Sequence, residues 1–226
     1  MIIKILAALA CAVAGYLLGS ISTGVIVSKL YGGIDIRKHG SGNIGMTNVM
    51  RTLGWVPSFL TFAGDALKGV LGALVGKLIF GNIGLCIGGV FAVVGHNWPV
   101  FFKFKGGKGM STSFGFLLMG DWRVALMLLL IQVFVLLLSG YMSLASIISS
   151  CALVILACTM NESYAFRAAA IILCALSMFA HRENIKRLKE GRENALDSKK
   201  ITKISETMVK KLKNRKNIKT GGNKNE

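Results

Sequence analysis

The stretch WRVALMLLLIQVFVLLLS, residues Trp122–Ser139, is apolar along nearly its whole length and is interrupted only by Arg123, Gln132 and the final serine. A helix that crosses a bilayer needs about 20 mostly apolar residues, because the hydrocarbon core is about 30 Å thick and each helical residue rises about 1.5 Å. The stretch therefore predicts a transmembrane helix.

Other segments of the same character lie on both sides of it. The further candidate spans are Ile2 to about Val27, Trp55–Phe80, Gly81–Phe102, Leu144–Met160 and Tyr164–Ala180. Met110–Gly120 is also apolar but is too short to cross alone as a straight helix. Counting it gives seven spans, and discounting it gives six or five. We predict an all-α class, a polytopic membrane helix bundle of about seven transmembrane helices.

The composition supports a membrane protein and argues against a nucleic-acid binder. Of the 226 residues, 53% are hydrophobic and only 16% are charged, whereas an average globular chain has about 25% charged residues. The charge is also segregated, since 15 of the 27 Lys and Arg residues lie from His181 onward. Nucleic-acid binding needs a soluble basic face, which only the tail offers, so we predict no nucleic-acid partner.

The sequence divides into residues 1–196, a transmembrane domain, and residues 197–226, a basic tail. The tail is rich in Lys and Asn and has few apolar residues, so it buries too little surface to offset its ordering entropy. We expect it to be disordered and cytoplasmic. Tethering to anionic lipid, at about 1 kcal/mol per cation near the surface, and simple solvation both remain open.

The distribution of basic residues predicts the orientation, because cytoplasmic connections of membrane proteins carry an excess of Lys and Arg. The connections after the first and third spans and the tail are basic, while those around Asn82, Asp121 and Glu162 are short and hold few bases. With seven spans, the N-terminus lies outside, the C-terminus lies in the cytoplasm, and every basic connection falls on the cytoplasmic side.

Three polar, glycine-bearing stretches interrupt the apolar chain. They are HGSGNIGMTNVMR (His39–Arg51), GHNWPVFFKFKGGKG (Gly95–Gly109) and HRENIKRLKEGRE (His181–Glu193). Backbone amides exposed by glycine, next to Lys or Arg, form a site for phosphate. The predicted topology brings all three to the cytoplasmic face, which indicates an anionic, phosphorylated substrate handled at the bilayer surface.

The first stretch places hydrogen-bonding side chains next to a cation. Arg51 is suited to bind a phosphate through two parallel hydrogen bonds, and the polar residues that accompany it are Ser41, Asn43, Thr47 and Asn48. The alternative interpretation is a polar loop whose glycines supply turns.

The second stretch ends in Gly106-Gly107-Lys108-Gly109, directly before the short helix predicted from Met110. The free N–H groups at a helix start favour a phosphate, and Lys108 adds a full charge. A nucleotide-binding P-loop would have Ser or Thr directly after the lysine, but Gly109 stands there. His96 precedes the loop, either as a packed residue or as a substrate contact.

In the third stretch, His181 and Asn184 are three residues apart and share one helical face. Glu193 follows a glycine and is better suited to pair with a cation than to catalyse. Ser143 and Ser146, at the cytoplasmic start of the sixth span, either reach the same pocket or pack as small residues between helices. No cluster of His, Asp, Glu or Cys has metal-ligand spacing, so we predict no metal and no cofactor.

One pair of ionisable residues, Asp65 and Lys68, falls at membrane depth. Ionisable groups in the bilayer are costly and usually pair inside the bundle. A structural salt bridge is the favoured interpretation, and lining of the polar pocket is the alternative.

Taken together, the motifs GSGNIGMTNVMR, FKGGKG and HREN, in this order and spacing, resemble those of the bacterial acyl-phosphate-dependent glycerol-3-phosphate acyltransferases, over about Gly19–Glu193. The resemblance implies seven transmembrane helices and acyl transfer from acyl phosphate to the 1-hydroxyl of glycerol 3-phosphate, giving lysophosphatidate and phosphate in the first step of phospholipid synthesis. It also implies a multi-pass protein of the bacterial cytoplasmic membrane, with its active site facing the cytoplasm.

The resemblance places Ser41, Arg51, Lys108, Ser146, His181 and Asn184 around the two phosphates, and Gly106 and Gly107 in the loop that holds glycerol 3-phosphate. The motifs and the resemblance together give the following site. The predicted catalytic residues are Ser41, Arg51, Lys108, His181 and Asn184. The predicted substrate-binding residues are Asn43, Thr47, Asn48, His96, Gly106, Gly107, Ser143 and Ser146. The expected partners are the two substrates, the lipid bilayer and, as a further candidate, the enzyme that forms acyl phosphate. The competing hypothesis is a membrane transporter or binder of a phosphorylated small molecule, for which internal repeats would be expected.

Overall fold

A computed structural model of the chain describes residues 1–161 and 163–221. All regular secondary structure in that part of the chain is helical, which confirms the predicted all-α class. The helices are α1 (Ile2–Gly19), α2 (Thr23–Val27), α3 (Met46–Leu53), α4 (Trp55–Asn97), α5 (Met110–Gly120), α6 (Trp122–Ser139), α7 (Met142–Met160), α8 (Tyr164–Ala180), α9 (Arg182–Lys189) and α10 (Ser198–Gly221).

Several of these segments have the length and apolar character that a membrane span requires. Among the described residues, four qualify by length and composition: Ile2–Gly32, Trp55–Phe102, Trp122–Ser139 and Met142–Met160. The pair α8 and α9 becomes a fifth if the 58° bend between them is counted within one span. Met110–Gly120 is again the shorter apolar helix. These features are those of a multi-pass helical membrane protein.

Helix α4 has 43 residues but is broken near its middle. Phe80 and Gly81 leave helical geometry, and Gly81 has a φ of 58°. A methyl group on Gly88 would lie only 2.2 Å from the Gly72 carbonyl oxygen, and one on Gly76 would lie 2.0 Å from that of Gly84. Since these pairs are spaced evenly around the break, the two arms of α4 run antiparallel in direct backbone contact. The break occurs where the sequence predicted one span to end and the next to begin.

Residues Met1–Thr23 and Phe62–Leu196 form one compact unit. Helix α1 packs on the second arm of α4, where a Cβ on Gly15 would meet the Gly88 carbonyl oxygen at 2.3 Å. Helix α5 packs as closely on the first arm, since a Cβ on Gly115 would meet the Ala66 carbonyl oxygen at 1.9 Å. Lipid is as apolar as the side chains, so such close van der Waals packing, rather than exclusion from water, holds membrane helices together.

The first predicted span, Ile2 to about Val27, is not one continuous helix. Helix α1 ends at Gly19, and α2 begins at Thr23. The break exposes the carbonyl of Ile21, which accepts a hydrogen bond of 2.9 Å from the buried Lys68 Nζ. A backbone group freed at membrane depth must find a partner within the protein, and here the partner is a charged side chain that hydropathy alone does not reveal.

Residues Gly24–Thr61 form the second compact unit together with the chain from Asp197. Its principal contact is between α3 and α10. Ile201 of α10 is buried, and the Ser205 hydroxyl accepts a hydrogen bond of 3.0 Å from the Trp55 backbone N–H. The tail, residues 197–226, was predicted to be disordered and cytoplasmic. The structure has helix α10 in this segment, and one apolar face of the helix, led by Ile201, packs within the unit. Residues 222–226 lie outside the described part of the chain.

Candidate active site

The predicted site residues are distributed over both structural units. The unit with Gly24–Thr61 holds those of the first polar stretch. The unit with Phe62–Leu196 holds the second and third polar stretches and the two predicted serines of α7.

The chain between α4 and α5 turns back on itself to form the glycine loop, residues Pro99–Gly109. The Phe104 backbone N–H donates to the Pro99 carbonyl at 3.0 Å, and both Lys103 and Phe104 have positive φ values, near 56° and 57°. Such values are uncommon outside glycine. This tight turn returns residues 106 and 107 to the end of α4.

The two loop glycines lie directly against the last turn of α4. The Gly107 N–H donates to the His96 carbonyl at 3.0 Å. A Cβ on Gly107 would lie 2.0 Å from His96 Nε2, and one on Gly106 would lie 2.1 Å from the His96 carbonyl oxygen. No side chain fits at either position, so glycine is required for the close approach. His96 itself is only 3% exposed.

Lys108 follows these glycines and leads into α5. Its Nζ donates a very short hydrogen bond to Asn184 Oδ1, on α9. Gly109, with a φ of 78°, caps the N-terminus of α5, where the first N–H groups of a helix have no partner inside the helix. A cation and a helix start therefore occur at adjacent residues, which is the arrangement that binds a phosphate.

Glu193 connects the third stretch to α7. Its Oε1 accepts from Asn184 Nδ2 at 2.8 Å and from the Ser143 hydroxyl at 2.9 Å, and its Oε2 accepts from Arg187 Nε at 2.8 Å. Burial raises the pKa of Glu193, but the hydrogen bonds from Asn184, Ser143 and Arg187 outweigh it and leave the pKa below its ordinary value. Glu193 is therefore an ionised acceptor that orients Asn184, and through it Lys108.

His181 lies at the end of α8 and is 2% exposed. Its Nδ1 is 2.9 Å from the Ser177 carbonyl oxygen. A carbonyl oxygen only accepts, so the proton of the neutral ring is on Nδ1 and Nε2 is left as an acceptor. Ser177 also shares a hydrogen bond of 2.7 Å with Ser150 on α7. The sequence reasoning missed both serines, although Ser177 stands four residues before His181 and therefore on its helical face.

Ser146 is on α7, one turn after Ser143. Its hydroxyl donates to the Met142 carbonyl at 2.9 Å and accepts from Gln132 Nε2 at 3.2 Å. The Ser143 hydroxyl is used by Glu193. In this structure both serines thus make protein contacts, and Ser143 belongs to the same network as Asn184 and Lys108.

In the other unit, Asn48 holds the first stretch together. Its Oδ1 accepts from the Ser41 N–H at 3.0 Å, while its Nδ2 donates to the carbonyls of Asn43 at 2.8 Å and His39 at 3.0 Å. Asn48 is 3% exposed. The side-chain amide of Asn48 therefore holds the loop backbone in place. The sequence analysis predicted Asn48 as a substrate-binding residue, because the sequence does not show these contacts.

The remaining residues of this stretch lie at the start and along one face of α3. The Asn43 side chain accepts from the Gly45 N–H at 2.8 Å, just before the helix begins. Thr47 and Arg51 are four residues apart on α3 and share a face, and both are half-buried, while Ser41 is exposed. This unit therefore presents a guanidinium, a threonine and a loop serine on a rigid scaffold.

Elsewhere in the larger unit, the predicted pair Asp65–Lys68 is a buried salt bridge, with Nζ 2.8 Å from Oδ1. The described residues contain no group of His, Cys, Asp and Glu arranged to hold a metal ion. The chemistry available to the site residues is cationic and hydrogen-bonding: Lys108 and Arg51 for charge, and amides, hydroxyls and glycine N–H groups for orientation. This chemistry suits phosphorylated ligands.

Comparison with known proteins identifies the family. The family profile of glycerol-3-phosphate acyltransferase matches residues 9–191. Among curated proteins, the glycerol-3-phosphate acyltransferase of Thermoanaerobacter sp. (strain X514) is 45% identical over 188 residues, which cover 83% of this chain and 95% of the relative. A glycerol-3-phosphate acyltransferase of Thermus thermophilus is 46% identical over 184 residues, covering 80% of this chain and 91% of the relative.

Solved structures agree with this result. A crystal structure of PlsY, an integral membrane glycerol 3-phosphate acyltransferase, in its glycerol 3-phosphate form is 39% identical to this chain and superimposes with a TM-score of 0.81, covering 86% of this chain and 98% of that one. The lysophosphatidic acid form of PlsY gives a TM-score of 0.79 at 38% identity.

These matches decide between the two hypotheses that the sequence left open, in favour of the enzyme and against a transporter. The family profile includes residues of both structural units, the first two polar stretches and the third as far as Gly191. The chain belongs to the glycerol-3-phosphate acyltransferase family of integral membrane enzymes.

Proposed function

We propose that the enzyme uses acyl phosphate as its acyl donor and acylates the 1-hydroxyl of glycerol 3-phosphate, releasing lysophosphatidate and inorganic phosphate. The observation that carries this proposal is the junction of the glycine loop, Lys108 and the α5 N-terminus, held in place through Asn184 and Glu193. Both substrates are phosphorylated, and the candidate residues supply cations and N–H donors, which are the groups that bind phosphate.

In this proposal Gly106, Gly107 and Lys108 hold the phosphate of glycerol 3-phosphate. The loop N–H groups and the Lys108 ammonium neutralise its charge, and Asn184 positions the ammonium. The contact with the neutral amide of Asn184 orients the ammonium without cancelling its charge. The family name of the relatives, and the glycerol 3-phosphate form of the PlsY structure, support a site for this substrate.

We assign Arg51 and Ser41 to the phosphate of the acyl donor, with Thr47 on the same face of α3. A guanidinium is suited to a phosphate leaving group because it donates two parallel hydrogen bonds as charge develops. Asn43 and Asn48 shape the loop through their backbone contacts. The role of Asn48 in this proposal is therefore to position Ser41 and not to contact a substrate.

In the proposed reaction, the hydroxyl oxygen attacks the carbonyl carbon of acyl phosphate, the carbon–oxygen bond to phosphate breaks, and phosphate leaves. Acyl phosphate is an activated anhydride, so it needs little help with the leaving group. We propose that a phosphate oxygen of the donor accepts the hydroxyl proton. His181, with its proton on Nδ1 and Nε2 as an acceptor, then orients the hydroxyl rather than acting as the general base.

We also propose seven membrane spans, with the N-terminus outside, the C-terminus inside, and the active site on the cytoplasmic side of a bacterial cytoplasmic membrane. The support is the break at Phe80–Gly81, which makes two antiparallel arms of α4. With these two arms, α5 counted as a short span and α1, α6, α7 and α8, the basic connections fall on one side.

Replacing Lys108 with Ala is expected to reduce kcat/KM by at least about 100-fold, because the phosphate of glycerol 3-phosphate loses a charge-assisted hydrogen bond. The measurement is kcat/KM for glycerol 3-phosphate with purified enzyme. Lys105→Ala is the matched control, since Lys105 lies in the same loop but is exposed, and it should stay near wild type. Equal, small effects of both variants would refute the phosphate site.

Removing His181 tests the proton transfer. If the donor's phosphate takes the proton, His181→Ala should lower kcat/KM without deleting an ionisation from its pH profile, because no imidazole base is lost. A general base normally contributes about 100- to 10,000-fold in rate. Burial, with the nearby Lys108, lowers the pKa of His181 to about 4. A loss of that size, together with the disappearance of an ionisation from the acid side of the profile, would show that His181 is the base.

Cysteine labelling tests the orientation. In a variant whose native cysteines are replaced by serine or alanine, single cysteines at the exposed positions Lys38, Lys105 and Glu190 should react only from the cytoplasmic side, and one at Asn82 only from outside. The prediction rests on the positions of the basic connections. Labelling of positions 38 and 105 from opposite sides would contradict the proposed seven spans.

A further inference from the structure

A cluster of polar side chains lies in the larger unit, where His96 contacts the glycine loop. It consists of the buried Asp65, Lys68 and His96, from the two arms of α4, and the half-buried Thr23, from α2. The side chains of Asp65 and Lys68 are only 2% and 5% exposed. Burying charges at membrane depth costs free energy, and so far the proposed reaction makes no use of this cluster.

Three side chains of the cluster approach the same oxygen of Asp65. Oδ1 accepts from the Thr23 hydroxyl at 2.5 Å, lies 2.8 Å from Lys68 Nζ, and lies 3.4 Å from His96 Nδ1. Lys68 Nζ also donates to the Ile21 carbonyl at 2.9 Å. The carboxylate is therefore fixed on two sides, by a hydroxyl and an ammonium, and its third neighbour is the imidazole ring.

The opposite edge of that ring faces the loop. A Cβ on Gly107 would stand 2.0 Å from Nε2 and 2.9 Å from both Cδ2 and Cε1, so the ring points its Nε2 edge at this residue. The His96 carbonyl accepts from the Gly107 N–H at 3.0 Å. The ring and the backbone carbonyl of His96 therefore both lie against Gly107, the residue directly before Lys108. A rotation of the ring would move the loop.

We propose that Asp65 is a positioning residue for glycerol 3-phosphate binding: held by Thr23 and Lys68, it fixes the His96 ring, which in turn fixes Gly107 and the adjacent Lys108. The inference rests on the proposal that the glycine loop binds glycerol 3-phosphate. His96 Nδ1 faces the carboxylate at 3.4 Å without a formed hydrogen bond, so the carboxylate acts on the ring through packing and electrostatic attraction. Outer contacts that orient a ligand side chain in this way are worth about 10- to 100-fold in affinity at metal sites.

The test measures glycerol 3-phosphate binding by the full-length protein in detergent, from the rise in unfolding temperature with ligand concentration. It needs no acyl donor, so its result is independent of the donor proposal; wild-type turnover with acyl phosphate tests that separately. Asp65→Asn should raise the Kd about 10-fold. Asp121→Asn is the matched control, because Asp121 is also buried and ion-paired, with Arg123, but has no part in the loop.

A double variant shows whether Asp65 acts through His96. In a His96→Gln background, Asp65→Asn should change the Kd by less than about twofold, since residues that act as one unit are not additive.

A variant of Thr23 tests the same cluster without removing its charges. Thr23→Val keeps the Asp65 charge and removes the hydroxyl that donates to it, so it remains informative if Asp65→Asn does not fold. It should raise the Kd about threefold relative to Thr159→Val, an exposed threonine with a similar hydroxyl.

The proposal is overturned if folded Asp65→Asn, or Thr23→Val in its place, binds glycerol 3-phosphate as well as wild type. It is also overturned if Asp121→Asn causes an equal loss, or if the effect of Asp65→Asn is undiminished in the His96→Gln background. Any of these results would make the cluster a purely structural ion pair.

Discussion

Backbone-to-backbone contact between glycine-bearing helices is the constraint on which the larger unit depends. The two arms of α4 touch at Gly72 and Gly88, α1 touches the second arm at Gly15, and α5 touches the first arm near Gly115. Because membrane helices gain little from excluding water, this packing sets their positions. The same packing fixes the end of α4 and the start of α5, and the glycine loop connects these two points.

On that scaffold, the buried carboxylates are paired with cations of the protein, Glu193 with Arg187 and Asp65 with Lys68. Lys108 donates to the amide oxygen of Asn184, which holds the ammonium in position. Desolvated cations and N–H donors that are held in place before the substrate arrives stabilise charge without reorganisation during the reaction. In the proposed reaction with acyl phosphate, such groups would stabilise the charge on both phosphates.

Much of the fold could be predicted because the thickness of the bilayer sets how many consecutive apolar residues a spanning helix needs. Trp122–Ser139 and the division of α4 near Gly81 follow from length and apolar character. The break after Gly19 did not follow, since it depends on Lys68, which is distant in sequence. Helix α10 was missed because its packing face is short and the average composition of the tail is polar.

The candidate residues of the site were recognisable as residue types, but their individual roles depend on contacts far apart in sequence. The prediction that Gly106-Gly107-Lys108 binds phosphate could be made from the sequence because the residues that carry it are adjacent. By contrast, Glu193 reaches Ser143 across 50 positions. The amide of Asn48 is used up by loop backbone groups, which only the folded loop reveals. A sequence motif shows which groups are available, while the fold decides which of them face a substrate and which hold the others in place.

The proposed reaction depends above all on acyl phosphate being the acyl donor of this enzyme. The most direct measurement follows inorganic phosphate and lysophosphatidate released by the purified protein given acyl phosphate, with and without glycerol 3-phosphate, and given acyl-CoA instead. We expect equal amounts of both products, formed only when acyl phosphate and glycerol 3-phosphate are both present. Lysophosphatidate formed from acyl-CoA but not from acyl phosphate would show that acyl phosphate is not the donor.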